Sequence, residues 1–490
     1  MTSFVQSATV SSPSGPDHTL ERSVIGTGDL VFFVVAAAAP LTVMAGVAPV
    51  SIGMAGQAAP LGYLVSGLLL IIFAAGFTAM SRHVHNAGAF YAYIGCGLGR
   101  TTGVGAAYVA LLAYNAIEVG LLAAFGWFTG SGVQGLTGVR VPWWAWALAG
   151  LVAIGVLGYL KVTFSAKVLG VALALEVLIL LAFEAGVFVH GGGPQGPQFG
   201  ALSPEHLANA GVGGMFVLAV GAFIGFEATA IYSEEARRPE RSVPRATYVA
   251  VGFLALFYTF TVWVIINAYG ASRAQTVANG PGGPDMVLTA TQHFAGAWAA
   301  DAMHVLIITS AFAATLAFHN GATRYLYALG REGLLPRRLG TVTARHRSPA
   351  AAVLLQSALA LAVVLATAAA GQNPYSVTFL WTSGMGILGV LLLQTLAALA
   401  VYGFFRRDRQ GMPAWRVVAA PLLSGTGLAA LIVLICRNFG LLTGASTAVN
   451  VALLAPLPLA FGTGLAIARH IRRQSPHRYA QLTTVDAERN

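Results

Sequence analysis

The chain has 490 residues, of which 57% are hydrophobic and only 9% are charged. A soluble globular domain carries about 25% charged residues, so this composition cannot cover a soluble surface and excludes that class. The two cysteines exclude a disulfide scaffold, and the net charge of +10 identifies a partner only after the charges are placed along the chain.

The first 26 residues are polar and rich in Ser, Thr and Pro. They lack the charged region followed by an apolar one that a secretory signal would have. Residues 1–26 therefore predict a cytoplasmic N-terminal tail, and residues 474–490 predict a second tail at the other end.

Stretches without Asp, Glu, Lys or Arg then recur at membrane length, since a bilayer-spanning helix needs about 20 apolar residues. Residues 30–81 and 348–405 are each long enough for two spans. Shorter stretches predict one span each: 141–160, 206–226, 246–272, 302–323, 417–436 and 438–468. Residues 101–130 and 166–189 add two spans that contain acids. The pattern predicts an all-α polytopic membrane protein with twelve transmembrane helices.

Lys and Arg determine the predicted orientation. With the N-terminus inside, 24 of the 27 basic residues lie on the inner side, and only Arg140, Arg273 and Arg437 lie outside. If the count were wrong by one helix, the basic residues would be distributed over both sides. The bias therefore supports both the count and the cytoplasmic placement of both termini. The basic charge thus indicates topology in the plasma (inner) membrane, and a nucleic-acid partner is excluded.

The first and sixth predicted helices contain residues that interrupt a helix. In the first, Pro40 and Pro49 each remove a hydrogen bond, and Gly46 lies between them. In the sixth, Gly221 and Gly225 lie at mid-span, shortly before a carboxylate. Either helix alone could use its small residues for close packing against a neighbour.

Two interrupted helices at corresponding positions in two halves are typical of an inverted-repeat transporter. We therefore expect a transporter core over residues 27–402, with five-helix repeats over about 27–190 and 211–402. Helices eleven and twelve are expected to follow over residues 403–473.

Three motifs resemble the amino acid–polyamine–organocation permeases. They are Phe223–Glu227 with the following Ser233–Ala246, the stretch Asn86–Ile94 between helices two and three, and Asn320–Pro336 after helix eight. The resemblance covers about residues 25–470. It implies the five-plus-five fold with two appended helices, and uptake or exchange of amino acids or amines.

Many members of that family carry Gly-Ser-Gly or Gly-Thr-Gly in the first helix, where this chain has Met44–Val47. The resemblance implies that this backbone and that of the sixth helix bind the two ends of the solute at the bilayer midplane. The expected backbone contacts are Met44, Ala45, Gly46, Val47, Gly221, Ala222, Phe223, Ile224 and Gly225.

Glu118 and Asn115 share a polar stripe in the middle of the third helix. A carboxylate inside the bilayer is costly, so such residues usually face a cavity. We interpret both side chains as substrate contacts and Glu118 also as a candidate proton carrier. The alternative for Glu118 is a structural hydrogen bond to a neighbouring helix.

Glu176 and Glu227 are the other candidates for proton coupling. Glu176 lies in an apolar run of the fifth helix, at a position where the resemblance implies a lysine in proton-coupled members. The reversed charge means that the lysine mechanism does not transfer. Glu176 could instead carry a proton, coordinate a cation or be satisfied by a neighbour. Glu227 matches the family's acid in the sixth helix, where it either braces the first helix or senses pH or substrate.

Three further side chains leave alternatives open. His319 in the eighth helix is expected to be a packing residue or a proton relay. Trp381 in the tenth helix is expected to wall the substrate cavity or to lie at the lipid interface. Glu184, near the outer end of the fifth helix, is expected to be interfacial.

The sequence carries no zinc-protease, serine-hydrolase or P-loop motif, and its histidines do not cluster at metal-ligand spacing. We therefore expect no enzyme activity, cofactor or metal.

The predicted function is secondary active transport of an amino acid or related amine by alternating access, coupled to protons. An exchanger without proton coupling is one alternative, and a channel or polytopic membrane enzyme is another. The expected partners are the amino-group-bearing solute, protons and membrane lipid. A cationic solute would compensate the three buried acids, although these acids could equally carry protons.

Overall fold

The structure is a computed structural model that describes residues 26–84, 90–160, 162–208, 211–227, 229, 236–343, 346 and 348–482. For residues 162–169 and 239 it describes the backbone alone. The elements of this part of the chain are helices, which confirms the predicted all-α class. Residues 1–25 of the predicted N-terminal tail, residues 483–490 of the predicted C-terminal tail, the first four residues of the Asn86–Ile94 motif and the first three of Ser233–Ala246 lie outside the described residues. The first nine residues of the C-terminal tail, 474–482, are described.

The helices of the first part of the chain are α1 (Thr27–Ala38), α2 (Ala48–Ala55), α3 (Ala59–Met80), α4 (Phe90–Leu98), α5 (Arg100–Thr137), α6 (Trp143–Leu160), α7 (Val162–Val189) and α8 (Val212–Gly221). The later helices are α9 (Pro239–Tyr269), α10 (Ala274–Ala278), α11 (Met286–Ala295), α12 (Ala297–Arg331), α13 (Ala350–Ala369), α14 (Leu380–Phe405), α15 (Ala420–Thr443), α16 (Thr447–Leu454), α17 (Pro456–Gln474) and α18 (Pro476–Gln481).

Ten helical segments of the described chain are long and apolar enough to cross a membrane, which supports a multi-pass membrane protein. The first segment, Thr27–Met80, has 54 residues, far more than the ~20 of one span. It changes direction at Gly56, whose φ is 56°. The apolar α8 has only 10 residues and is not among the ten. The exact count of twelve crossings stays a prediction.

The burial pattern is that of a membrane protein with a helical centre and an apolar outer ring. The most apolar window of α5 is 83% buried, whereas the window within α6 is 22% buried. Val152 on α6, Leu354 on α13 and Leu459 on α17 are each about two-thirds exposed. Aliphatic side chains with no protein cover are stable in lipid, where a helix needs no polar outer face. The buried centre is therefore where a functional site can lie.

The first span is interrupted at Ala39. α1 ends at Ala38, and Ala39 adopts a left-handed φ of 47° before Pro40. The ring of a proline clashes with a preceding residue in the right-handed α conformation, which explains the break at this residue. The backbone then forms a π-helical turn over Thr42–Val47 and continues into α2. The interruption thus precedes the Met44–Val47 stretch, which stays helical.

The sixth span is interrupted after Gly221. α8 ends there, and the backbone continues in turns through residue 227. Gly225 has a φ of 115°, a conformation that L side chains rarely adopt. A Cβ added to Gly225 would lie 2.7 Å from the Cβ of Ala37. The two interruptions therefore touch each other at the centre of the molecule.

Candidate functional site

A cavity of about 70 Å³ lies at the point where the two interruptions meet. At the ~10–15 Å³ that one water needs, about 70 Å³ would hold roughly five to seven water-sized groups. Five elements line it: the end of α1 with the following π-helical turn, α5, the end of α8, α12, and α14 with the turn before it. The lining residues are Ala37, Ala38, Ala39, Thr42, Val43, Val47, Ile117, Leu121, Leu218, Gly221, Ala222, Ile224, Phe318, Phe379, Leu380, Ser383 and Ile387.

Polar side chains are scarce on this lining. Among the described residues, only Thr42 and Ser383 contribute a side-chain oxygen, and none carries a formal charge. Both hydroxyls are buried and have no hydrogen-bond partner within the described protein. Buried polar atoms are normally paired, so two such hydroxyls at one cavity indicate a place for a polar ligand.

Glu176 connects α7 to the interruption of the first span. Its Oε2 accepts a hydrogen bond from the Ser310 hydroxyl of α12 at 2.7 Å and from the Leu41 amide at 3.4 Å. Ser310 also accepts the Thr42 amide at 3.2 Å. The amides that follow the break are therefore held by one carboxyl group and one hydroxyl. A change in the protonation of Glu176 would act directly on the backbone that lines the cavity.

Glu118 belongs to a separate buried cluster. Its Oε1 lies 2.7 Å from Nδ1 of His319 on α12, and its Oε2 accepts the side-chain amide of Gln356 on α13. All three side chains are fully buried. The cluster joins α5, α12 and α13, and none of its members lines the cavity. This geometry favours the structural alternative for Glu118 and the packing alternative for His319.

Removing the carboxylate of Glu118 should destabilise the protein. Glu118→Ala leaves the His319 imidazole and the Gln356 amide buried without their partner, and breaking a buried pair costs about 3–5 kcal/mol. Thermal unfolding of the purified protein in detergent measures this loss. Glu118→Gln, which keeps an acceptor oxygen, should lose less. Unfolding of Glu118→Ala at the wild-type temperature would contradict a bracing role.

Glu227 holds the turn that follows α8. Its Oε2 accepts the Gly225 amide at 3.0 Å, and its Oε1 accepts the Tyr114 hydroxyl of α5 at 2.7 Å. The carboxylate thus braces the backbone of its own interrupted helix instead of the first one. It does so by tying the turn to α5.

Glu184 is buried within the protein, and its expected position at the membrane interface stays a prediction. Its side chain is 3% exposed, and its Oε1 accepts the Thr261 hydroxyl of α9 at 2.5 Å. Packing of α7 against α9 covers this side chain. Glu184 has no contact with either interruption among the described hydrogen bonds.

The predicted solute contacts fall into two groups in the structure. Four of them line the cavity: Val47, Gly221, Ala222 and Ile224. Eight others lie outside the lining: Met44, Ala45, Gly46, Asn115, Glu118, Phe223, Gly225 and Trp381.

Three members of the second group form hydrogen bonds within the protein. The Asn115 amide donates to Leu111 O of its own helix at 2.8 Å. The Trp381 indole donates to Thr443 O at 3.1 Å, which directs it towards α15. The Gly46 carbonyl accepts the Tyr375 hydroxyl, because the π-helical turn keeps Gly46 packed against the segment before α14.

Sequence reasoning missed the partners of the acids and both hydroxyls of the cavity. Ser310, Gln356 and Tyr114 are uncharged polar residues in mainly apolar helices, a signal that is too common to single them out. Thr42 and Ser383 were not singled out, although Ser383 lies two residues after Trp381. Hydroxyls are easily accommodated in membrane helices, so their presence in the sequence does not indicate a ligand.

Comparison with known proteins shows which protein family the chain is similar to. A family model described as amino acid permease matches residues 29–475 of the chain. The uncharacterized transporter Mb2001c of Mycobacterium bovis is 27% identical over 347 residues, covering 64% of this chain and 68% of that protein. The uncharacterized transporter Rv1999c of Mycobacterium tuberculosis is 25% identical over 320 residues, with coverages of 62% and 68%. The low-affinity putrescine importer PlaP of Escherichia coli is 25% identical over 314 residues, with coverages of 62% and 66%.

Proposed function

The chain belongs to the amino acid permease family, and on that premise we propose that it is a secondary active transporter of an amino acid or related amine in the plasma membrane. The observation that carries the proposal is the cavity between two interrupted helices. Backbone at such interruptions can bind charged groups of a small solute at mid-membrane depth. Alternating access then consists of a rocking of helices one, two, six and seven against three, four, eight and nine, in a fold of two five-helix repeats and two appended helices.

Glu176 is the residue that couples this movement to protons. It lies on α7 outside the cavity, yet it accepts hydrogen bonds from the Leu41 amide and from Ser310. Protonation removes its negative charge from the start of the second half of the first span, where a helix N-terminus favours an anion. The protonation state therefore biases the position of this half-helix relative to α12. Glu118 and Glu227 act as braces in this account.

Counterflow tests the proposal. Purified protein is reconstituted into liposomes that are preloaded with unlabelled amino acids or amines, and uptake of a trace of the same labelled solute is followed. A carrier should give saturable, transient accumulation of label that depends on the preloaded solute. Liposomes without protein are the control. The absence of saturable flux and counterflow for every amino acid and amine tested would contradict the transport proposal. Flux without saturation would favour a channel.

A further inference from the structure

The chemistry of the cavity lining restricts the kind of solute it can hold. Among the described residues, every lining side chain except Thr42 and Ser383 is apolar or glycine. Thr42 is 1% exposed and Ser383 is 8% exposed, and both hydroxyl oxygens lack a partner within the described protein. The two hydroxyls come from different elements, the first span and α14, and each can donate one hydrogen bond to an anionic oxygen.

The buried acids near this region are already engaged by protein groups. Glu176 accepts from Ser310, Glu227 accepts from Tyr114, and Glu118 pairs with His319. None of the three lines the cavity. They therefore offer no free carboxylate oxygen to a solute in the cavity.

Two helix ends supply negative potential to the cavity instead. α1 ends at Ala38 and α8 ends at Gly221, and both residues line the cavity. The C-terminal end of a helix carries a partial negative charge, so these two ends attract an ammonium group, whereas the start of the second half of the first span, beside Thr42, carries the opposite sign. The remaining wall, with Ile117, Leu121 and Ile387, is apolar.

From this arrangement, and resting on the transport function proposed above, we propose that the solute is a small neutral amino acid, such as alanine or serine, and not a polyamine or a basic amino acid. Its single ammonium group lies at the ends of α1 and α8. Its carboxylate accepts hydrogen bonds from the Thr42 and Ser383 hydroxyls, and its short side chain contacts the apolar wall.

A second ammonium group has no comparable place. In putrescine or lysine it would lie against Ile117, Leu121 or Ile387, away from water and without a carboxylate on the described lining. Burial of an unpaired charge is strongly unfavourable. The volume of about 70 Å³ favours solutes with short side chains over the large aromatic amino acids.

Competition in proteoliposomes tests the solute class. Counterflow is measured for labelled glycine, alanine, serine, putrescine, lysine and phenylalanine, each against the others as unlabelled competitors. We expect alanine and serine to drive counterflow and to compete with each other, with putrescine, lysine and phenylalanine at least about tenfold weaker. Putrescine or lysine as the better substrate overturns this inference while the transport function stands. Counterflow with no solute at all overturns both.

Two hydroxyl variants test the binding geometry. Thr42→Val and Ser383→Ala should each raise the KM for alanine about tenfold, because each removes a hydrogen bond to a charged group. Thr42→Ser keeps the hydroxyl and should raise the KM less than Thr42→Val does. Thr378→Val is the matched control, since the Thr378 hydroxyl is also buried and unpartnered but lies outside the lining. An unchanged KM in both hydroxyl variants, or an equal rise in Thr378→Val, overturns the assignment.

Discussion

Glu176→Gln is expected to abolish gradient-driven accumulation of the solute while counterflow continues. The carbonyl oxygen of glutamine can still accept the hydrogen bonds that Ser310 and the Leu41 amide donate to Oε2. The geometry of the interrupted helix is then kept, but the side chain can no longer bind or release a proton. In proteoliposomes with an inward proton gradient, the variant should bring the labelled solute only to equal concentrations on both sides.

Glu184→Gln is the matched control for this result. Glu184 is a buried carboxyl group on the same helix α7, and its partner is Thr261 instead of the backbone of the first span. The Glu184→Gln variant should therefore accumulate solute as the wild type does. Accumulation by Glu176→Gln at the wild-type level would remove Glu176 from the coupling mechanism, and the same loss in both variants would show that any buried carboxyl group of α7 matters equally.

Gly225→Ala is expected to reduce transport to the level of liposomes without protein. Gly225 has a φ of 115°, and its substitution forces a side chain into a conformation that costs about 1–3 kcal/mol. The added Cβ would also lie 2.7 Å from the Cβ of Ala37. Because Ala37 lines the cavity, relief of this clash must move the end of α1 away from the turn after α8. The measurement is counterflow, with the amount of protein in the membrane determined in parallel.

Gly252→Ala on α9 controls for the loss of a glycine as such. An added Cβ there meets no heavy atom within 4 Å, and the residue lies in a regular helix. This variant should transport as the wild type does, since alanine is favoured over glycine inside a helix. Full counterflow by Gly225→Ala would mean that the close contact between the two interruptions is dispensable.

The helical class and the interruption of two spans could be predicted because they depend on local composition. Pro40 and the glycines of the sixth span act on the residues beside them, so their effect on the backbone can be predicted from the neighbouring sequence. The position of the first break was less well predicted. A proline constrains the residue before it, which places the break at Ala39 and leaves Met44–Val47 helical.

The partners of the acids could not be predicted, because they come from distant parts of the chain. Glu118 is 238 positions from Gln356, and Glu176 is 134 positions from Ser310. Their contacts depend on which faces of several apolar helices meet, and hydrophobic periodicity is weak when a helix is apolar all round. The same limitation explains why the packing of Glu184 against Thr261 of α9 could not be predicted.

Accumulation against a concentration difference tests the central claim most directly. Proteoliposomes with an acidic exterior and a more alkaline interior are given labelled alanine, and its internal concentration is followed before and after addition of a protonophore. The proposed transporter should raise internal alanine above the external concentration and release the excess when the protonophore collapses the gradient. Alanine that only equilibrates, with or without the gradient, although counterflow is intact, would contradict proton-coupled transport and indicate an exchanger.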